Sequence, residues 1–104
     1  MALNPITTED FENTLAQNSK VFVKFTADWC APCKAFNPTL LKAAEAHPDI
    51  LFVEVDVQKD PGLAQKFHVR NIPAVFGFQD GNVAFQFIGV LQPAQLEQQL
   101  ANFK

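Results

Sequence analysis

Two cysteines three positions apart, Cys30 and Cys33, stand where an apolar run gives way to a helical pattern. The run is Val21-Phe22-Val23-Lys24-Phe25, and the helical pattern covers residues 32–46. A second apolar run follows at 50–57. Strand, helix, strand is a βαβ unit, which makes its two strands parallel and buries them under helices. The junction therefore commits the chain to a layered α/β arrangement. It also gathers both cysteines and the one tryptophan of the 104 residues into Trp29-Cys30-Ala31-Pro32-Cys33-Lys34. Such a thiol pair between a strand and a helix start reads as a redox motif.

The spacing explains why. Residues i and i+3 in a first helical turn are close enough for a disulfide of ordinary Cα separation. The bond closes a loop of about 4 residues and so stabilises less than the roughly 3 kcal/mol expected for 15. A structural staple would join distant segments; this spacing suits a bond that turns over. At the helix N-terminus, unpaired N–H groups and the macrodipole favour a thiolate at Cys30. Cys33 lies one turn in and is expected to be more buried. Cys30 then attacks a substrate disulfide and Cys33 resolves the mixed disulfide. Pro32 has no N–H and a fixed φ, which suits a first helical turn. Trp29 offers an apolar contact surface beside the nucleophile.

Competing uses of the pair fare worse. A zinc site needs about four ligands. There is no second cysteine pair, and His47 and His68 lack metal spacing to this one, so no metal is expected. Two inert, buried cysteines would pack well, but an exposed, helix-opening context argues against that. The net charge of −3 offers no footprint for nucleic acid. No run of 18 apolar residues exists to span a membrane. The first residues lack a basic region followed by an apolar one, so a cytoplasmic location is expected. In a reducing compartment a close cysteine pair is more readily catalytic than structural.

The rest of the chain supplies the other elements. Residues 3–6 read as an edge strand, where Pro5 is tolerated. Thr7 and Asp10 resemble a capping box for a short helix with Phe11 and Leu15 on one face. Residues 32–46 place Phe36, Leu40 and Ala44 on one face, with Pro38 inside the helix. His47 is a helix-end surface residue. Asp60 is expected to cap a short helix with Pro61 at its first position and Leu63 and Phe67 inward. His68 and Arg70 read as solvated. A strand at 74–78, a turn at Asp80-Gly81-Asn82 and a returning strand at 83–88 form a hairpin ended by Gly89. Pro93 opens a last helix with Leu96, Leu100 and Phe103 inward. The order is β-α-β-α-β-α-β-β-α: an α/β single domain over residues 1–104, its central mixed five-stranded sheet flanked by four helices on both faces.

With these residues in hand, the chain resembles the thioredoxin family over nearly its whole length. The resemblance rests on Trp29-Cys30-x-Pro32-Cys33-Lys34, Pro38 in the following helix, Ile72-Pro73 before a strand, the Gly81 turn and Gly89. It implies the thioredoxin fold and a protein-disulfide reductase acting through Cys30 and Cys33, with no cofactor of its own. It implies electrons delivered by an NADPH-dependent flavoprotein, thioredoxin reductase, passed on to protein disulfide substrates by a monomer. It also implies that Pro73 is cis and packs against the cysteine pair. The surface matching the family's substrate groove is Trp29, Ala31, Pro32, Val57, Asn71, Ile72, Pro73, Ile88, Gly89 and Val90, with the peptide added as a strand segment near Ile72.

Two departures from the family pattern stand out. Ala31 occupies the place of the usual Gly, which puts the reduction potential in question. Lys24 occupies the place of a buried Asp, and Glu54 that of a frequent Lys, so the signs are exchanged. If their strands are neighbours, Lys24 and Glu54 can pair and take part in proton transfer or tuning at Cys33, with Glu54 or a water beside it accepting the Cys33 proton; the alternative is that Lys24 snorkels to solvent. Two other functions remain open at this level. One is a thiol oxidase or isomerase, the same chemistry at a different poise. The other is a binding subunit whose redox activity is dispensable.

Overall fold

The computed structural model describes residues 3–104; Met1 and Ala2, the first residues of the domain expected over 1–104, lie outside the described residues. Its elements run β1 (Asn4–Pro5), α1 (Thr8–Gln17), β2 (Lys20–Thr26), α2 (Ala31–Ala46), β3 (Leu51–Asp56), α3 (Pro61–Lys66), β4 (Ala74–Gln79), β5 (Asn82–Ile88) and α4 (Pro93–Leu100). The sheet has the order β1-β3-β2-β4-β5. β3 is parallel to both β1 and β2, whereas β4 is antiparallel to β2 and β5. This is the thioredoxin fold.

Two-residue alternation along β2 and β3 divides the core. Phe22, Phe52 and Val75 meet Phe36 and Leu40 of α2 and Leu96 and Leu100 of α4 on one face. Val21, Val23, Phe25, Val53 and Val55 meet Phe11, Leu15 and Leu63 from α1 and α3 on the other. The chain has 11 Phe and no Tyr, so its aromatic core carries no hydroxyl that needs a partner. Each buried Phe contributes roughly 1.5–3 kcal/mol of transfer free energy. Phe22 stacks on Phe52, its neighbour in register across β2 and β3, with ring centroids 4.9 Å apart. The β4–β5 hairpin closes through Asp80 and Gly81, both at positive φ (51° and 84°), the two-residue turn that matches strand twist.

Several boundaries differ from the sequence expectation. α2 starts one residue earlier, at Ala31, and β3 is shorter at both ends. Ile50 is in a turn, its N–H donating to the His47 carbonyl at 3.0 Å. Phe103 lies past the end of α4 yet is buried: its N–H bonds back to Leu100 O at 3.1 Å and its ring packs edge-on against Phe85. Asp60 occupies the N-cap of α3 but makes no side-chain bond to that helix. Its Oδ1 accepts instead from the Thr8 N–H and Thr8 hydroxyl, each at 2.8 Å. Asp60 therefore does not cap α3 through its side chain: the donors it serves belong to α1, 52 residues away.

Candidate active site

The cysteine pair is built by the β2–α2 junction. Ala27 follows the buried strand, and its carbonyl accepts the Cys30 N–H at 3.2 Å. Cys30 has extended φ/ψ (−88°, 102°) and is the N-cap of α2. Its Sγ accepts the Cys33 N–H at 3.2 Å, the bond a Ser or Asp would make at this position. Pro32 sits in the first turn, where its missing N–H removes a donor that would lack a partner. Cys30 and Cys33 are joined as a disulfide, with Cα atoms 5.3 Å apart.

Cys33 is fully buried, and Cys30 is only 4 % exposed. The expected exposed setting of Cys30 is thus narrower than its helix-opening position suggested. Val57 and Ile72, brought from two other loops, pack against the Ala27, Cys30 and Cys33 cluster and cover the sulfurs. Asp56 shapes the first loop: its Oδ1 accepts from Gln58 N–H at 2.8 Å and Lys59 N–H at 3.2 Å. The second loop carries a cis Ile72–Pro73 peptide bond. Pro73 O accepts the Gly89 N–H at 2.8 Å, joining that loop to the end of β5. Gly89 holds φ at +112°, a conformation that side chains with a Cβ rarely adopt. Around this buried pair the surface is apolar and open: Trp29 is 66 % exposed, and Ile88 and Val90 are exposed too. Ala31, Pro32 and Asn71 are also exposed.

Below the pair lies Lys24, 1 % exposed, so it does not snorkel out. It shares the β2 face of Phe22, pointing at α2. Nζ donates to Cys33 O at 3.1 Å and to Asn37 Oδ1. Glu54, its register neighbour on β3, presents Oε1 at 4.0 Å. Glu54 is partly exposed and also accepts the Leu3 N–H at 3.2 Å. Burial pushes the Lys24 ammonium below lysine's usual range, and the Glu54 carboxylate opposes that shift. Asn37 was not singled out from sequence. The available signal was its position, one helical turn beyond Cys33 on a helix covering the Lys24 face.

Among the described residues no cluster of three or more His, Cys, Asp or Glu could hold a metal ion. His47 caps the end of α2 and meets Glu97 of α4 at 2.8 Å, and His68 is exposed. No helix of the described residues is long and apolar enough to cross a membrane.

The chain is similar to known proteins over nearly its whole length. The thioredoxin family profile matches residues 2–102. A thioredoxin of Mycoplasmoides gallisepticum is 36 % identical over 91 residues, covering 88 % of this chain and 91 % of that protein. Thioredoxin C-2 of Corynebacterium nephridii is 38 % identical over 92 residues, covering 86 % and 85 %. The crystal structure of oxidised mitochondrial thioredoxin 3 from Saccharomyces cerevisiae superposes with a TM-score of 0.88 at 34 % identity, covering 96 % of this chain and 94 % of that one.

Proposed function

The chain belongs to the thioredoxin family, and we propose that within its redox pair Cys30 is the attacking thiol and Cys33 the resolving one. The protein is a thiol–disulfide oxidoreductase that reduces protein disulfides by dithiol–disulfide exchange. The observation that carries the assignment of roles is the N-cap position of Cys30. Its sulfur accepts a helix N–H in place of a capping oxygen, and that environment stabilises a thiolate. Cys33, fully covered, meets only a sulfur already attached to Cys30.

The substrate surface is Trp29, Val57, Ile72, Pro73 and Gly89, with Ala31 and Pro32 beside the sulfurs. Support comes from the exposed Trp29, with Ile88 and Val90, and from the half-buried Val57 and Ile72 around a covered disulfide; Pro73 itself is buried. A peptide there can add as a strand segment along Ile72. The electron donor is a thioredoxin reductase, an inference that rests on family membership. We place the protein in the cytoplasm, a reducing compartment in which a close cysteine pair serves catalysis rather than structure. Lys24, with Glu54 beside it, tunes Cys33 from below.

The test uses insulin disulfides as substrate. Cys30→Ser abolishes turnover, whereas Cys33→Ser accumulates a mixed disulfide through Cys30. Trapping through the other sulfur would overturn the roles. Equilibration against glutathione reads the poise: a pair more reducing than the glutathione couple acts as a reductase. A potential near those of the isomerases would transfer the reading to thiol oxidation, with Ala31 the first residue to replace.

A further inference from the structure

A lysine buried directly under a redox cysteine needs a reason. It gains no water, and burial disfavours its charge. Its surroundings nevertheless suit a cation. Cys33 O and Asn37 Oδ1 are acceptors, and the third neighbour, Glu54, is a carboxylate. An ammonium has three donors and no acceptor. A neutral amine could keep both hydrogen bonds but would turn its lone pair towards an anion. From β4 the register neighbour of Lys24 is the apolar Val75. The groups facing Lys24 are thus Glu54 from β3, and Asn37 and Cys33 from α2. The ammonium meets Cys33 through that residue's own carbonyl, at 3.1 Å.

We propose that Lys24 is an electrostatic positioning residue that favours the Cys33 thiolate, so that in the mixed disulfide, where Cys30 no longer carries charge, the resolving step runs without a general base. A buried carboxylate at this place would do the opposite and keep Cys33 protonated until the proton was taken away. In the step itself, the Cys33 thiol has already lost its proton to water. The Cys33 thiolate attacks Cys30 Sγ, the Cys30–Cys33 bond forms, and the bond from Cys30 to the substrate sulfur breaks. The substrate leaves as a thiolate and takes a proton from water. Two electrons pass from the dithiol to the substrate. Because the disulfide is neutral and the thiolate is not, Lys24 also stabilises the reduced form over the oxidised one at a pH where Cys33 is ionised.

The inference rests on Cys33 being the resolving thiol, but its test does not use turnover. The Cys33 thiol is titrated by NMR in the reduced wild type, in Lys24→Met and in Asn37→Ala. Lys24→Met raises the Cys33 pKa by about one unit, while Asn37→Ala, which removes a hydrogen bond and keeps the cation, leaves it within a fraction of that shift. A tenfold accompanying shift of the glutathione equilibrium towards disulfide corresponds to about 30 mV, and the shift grows as pH rises through the Cys33 range. Linkage supplies a check in the unmodified protein, independent of whether Lys24→Met folds. If Lys24 favours the Cys33 thiolate, that thiolate favours the Lys24 ammonium by the same amount. The Lys24 Cε resonance therefore titrates at higher pH in the reduced protein than in the oxidised one. Equal Lys24 titration in the two forms, or equal Cys33 shifts in the two variants, would overturn the proposal. Failure to trap the Cys33→Ser mixed disulfide would instead remove the assignment of thiol roles.

Discussion

At the scale of residues, Lys24 sets the protein's main electrostatic tension. Burial holds its pKa below the usual lysine range while Glu54 pulls the other way. The unfolded chain titrates Lys24 in the usual range, so between the two pKa values the unfolded state binds the extra proton. Stability contributed by this site therefore rises with pH through that window. In the oxidised protein, where neither thiol titrates, the wild type gains stability relative to Lys24→Met as pH rises from below the depressed Lys24 range towards lysine's ordinary value of about 10. Urea midpoints of the two proteins at both ends check this; a difference that stays flat or shrinks contradicts it. Glu54 is the partner the sequence allowed for, and Asn37 is the one it did not reveal. Alternation along a strand tells which face a side chain takes, whereas a contact with the covering helix depends on how that helix lies.

Among the elements, Asp60 has the most displaced role. It reads as the cap of its own helix and instead satisfies the first turn of α1 through Thr8. Asp60→Ala leaves the Thr8 N–H without its acceptor and costs about 1 kcal/mol, with Asp60→Asn recovering most of the loss. Denaturant midpoints measure it, and the rate of insulin reduction is unaffected. An equal loss in the Asn and Ala variants would point to the carboxylate charge rather than the hydrogen bond. The strand, helix and turn identities were legible because each rests on local physics. β-branched and aromatic runs, an i,i+4 face and an Asp-Gly turn all act over a few residues. Their ends were legible to within about three residues, since terminal hydrogen bonds such as Ile50 N–H to His47 O depend on what the chain does next.

For the whole molecule, the redox bond is peripheral to stability. The two core clusters on either side of the sheet close without it, and the disulfide spans a sequence separation of 3. Reduction therefore lowers stability by at most about 2 kcal/mol on loop-closure entropy, and the reduced protein keeps its cooperative unfolding transition. Comparing urea midpoints before and after reduction reads this directly, and loss of the transition would refute it. Such insensitivity suits a protein that must remain folded in both redox states.

What the sequence alone determined was the order of elements, the parallel β2–α2–β3 unit, the thiol pair at its junction and the apolar faces that cover it. All of these follow from short-range sterics, periodicity and the chemistry of two nearby thiols. The tertiary structure decided the rest. It placed β3 between β1 and β2, which set Lys24 opposite Glu54. It brought Val57 and Ile72 over the sulfurs and joined Pro73 to Gly89. It also laid α2 so that Asn37 and the Cys33 carbonyl meet a buried ammonium. Each of these depends on which distant segments become neighbours, and that is settled by the packing of whole faces rather than by any local stretch of chain.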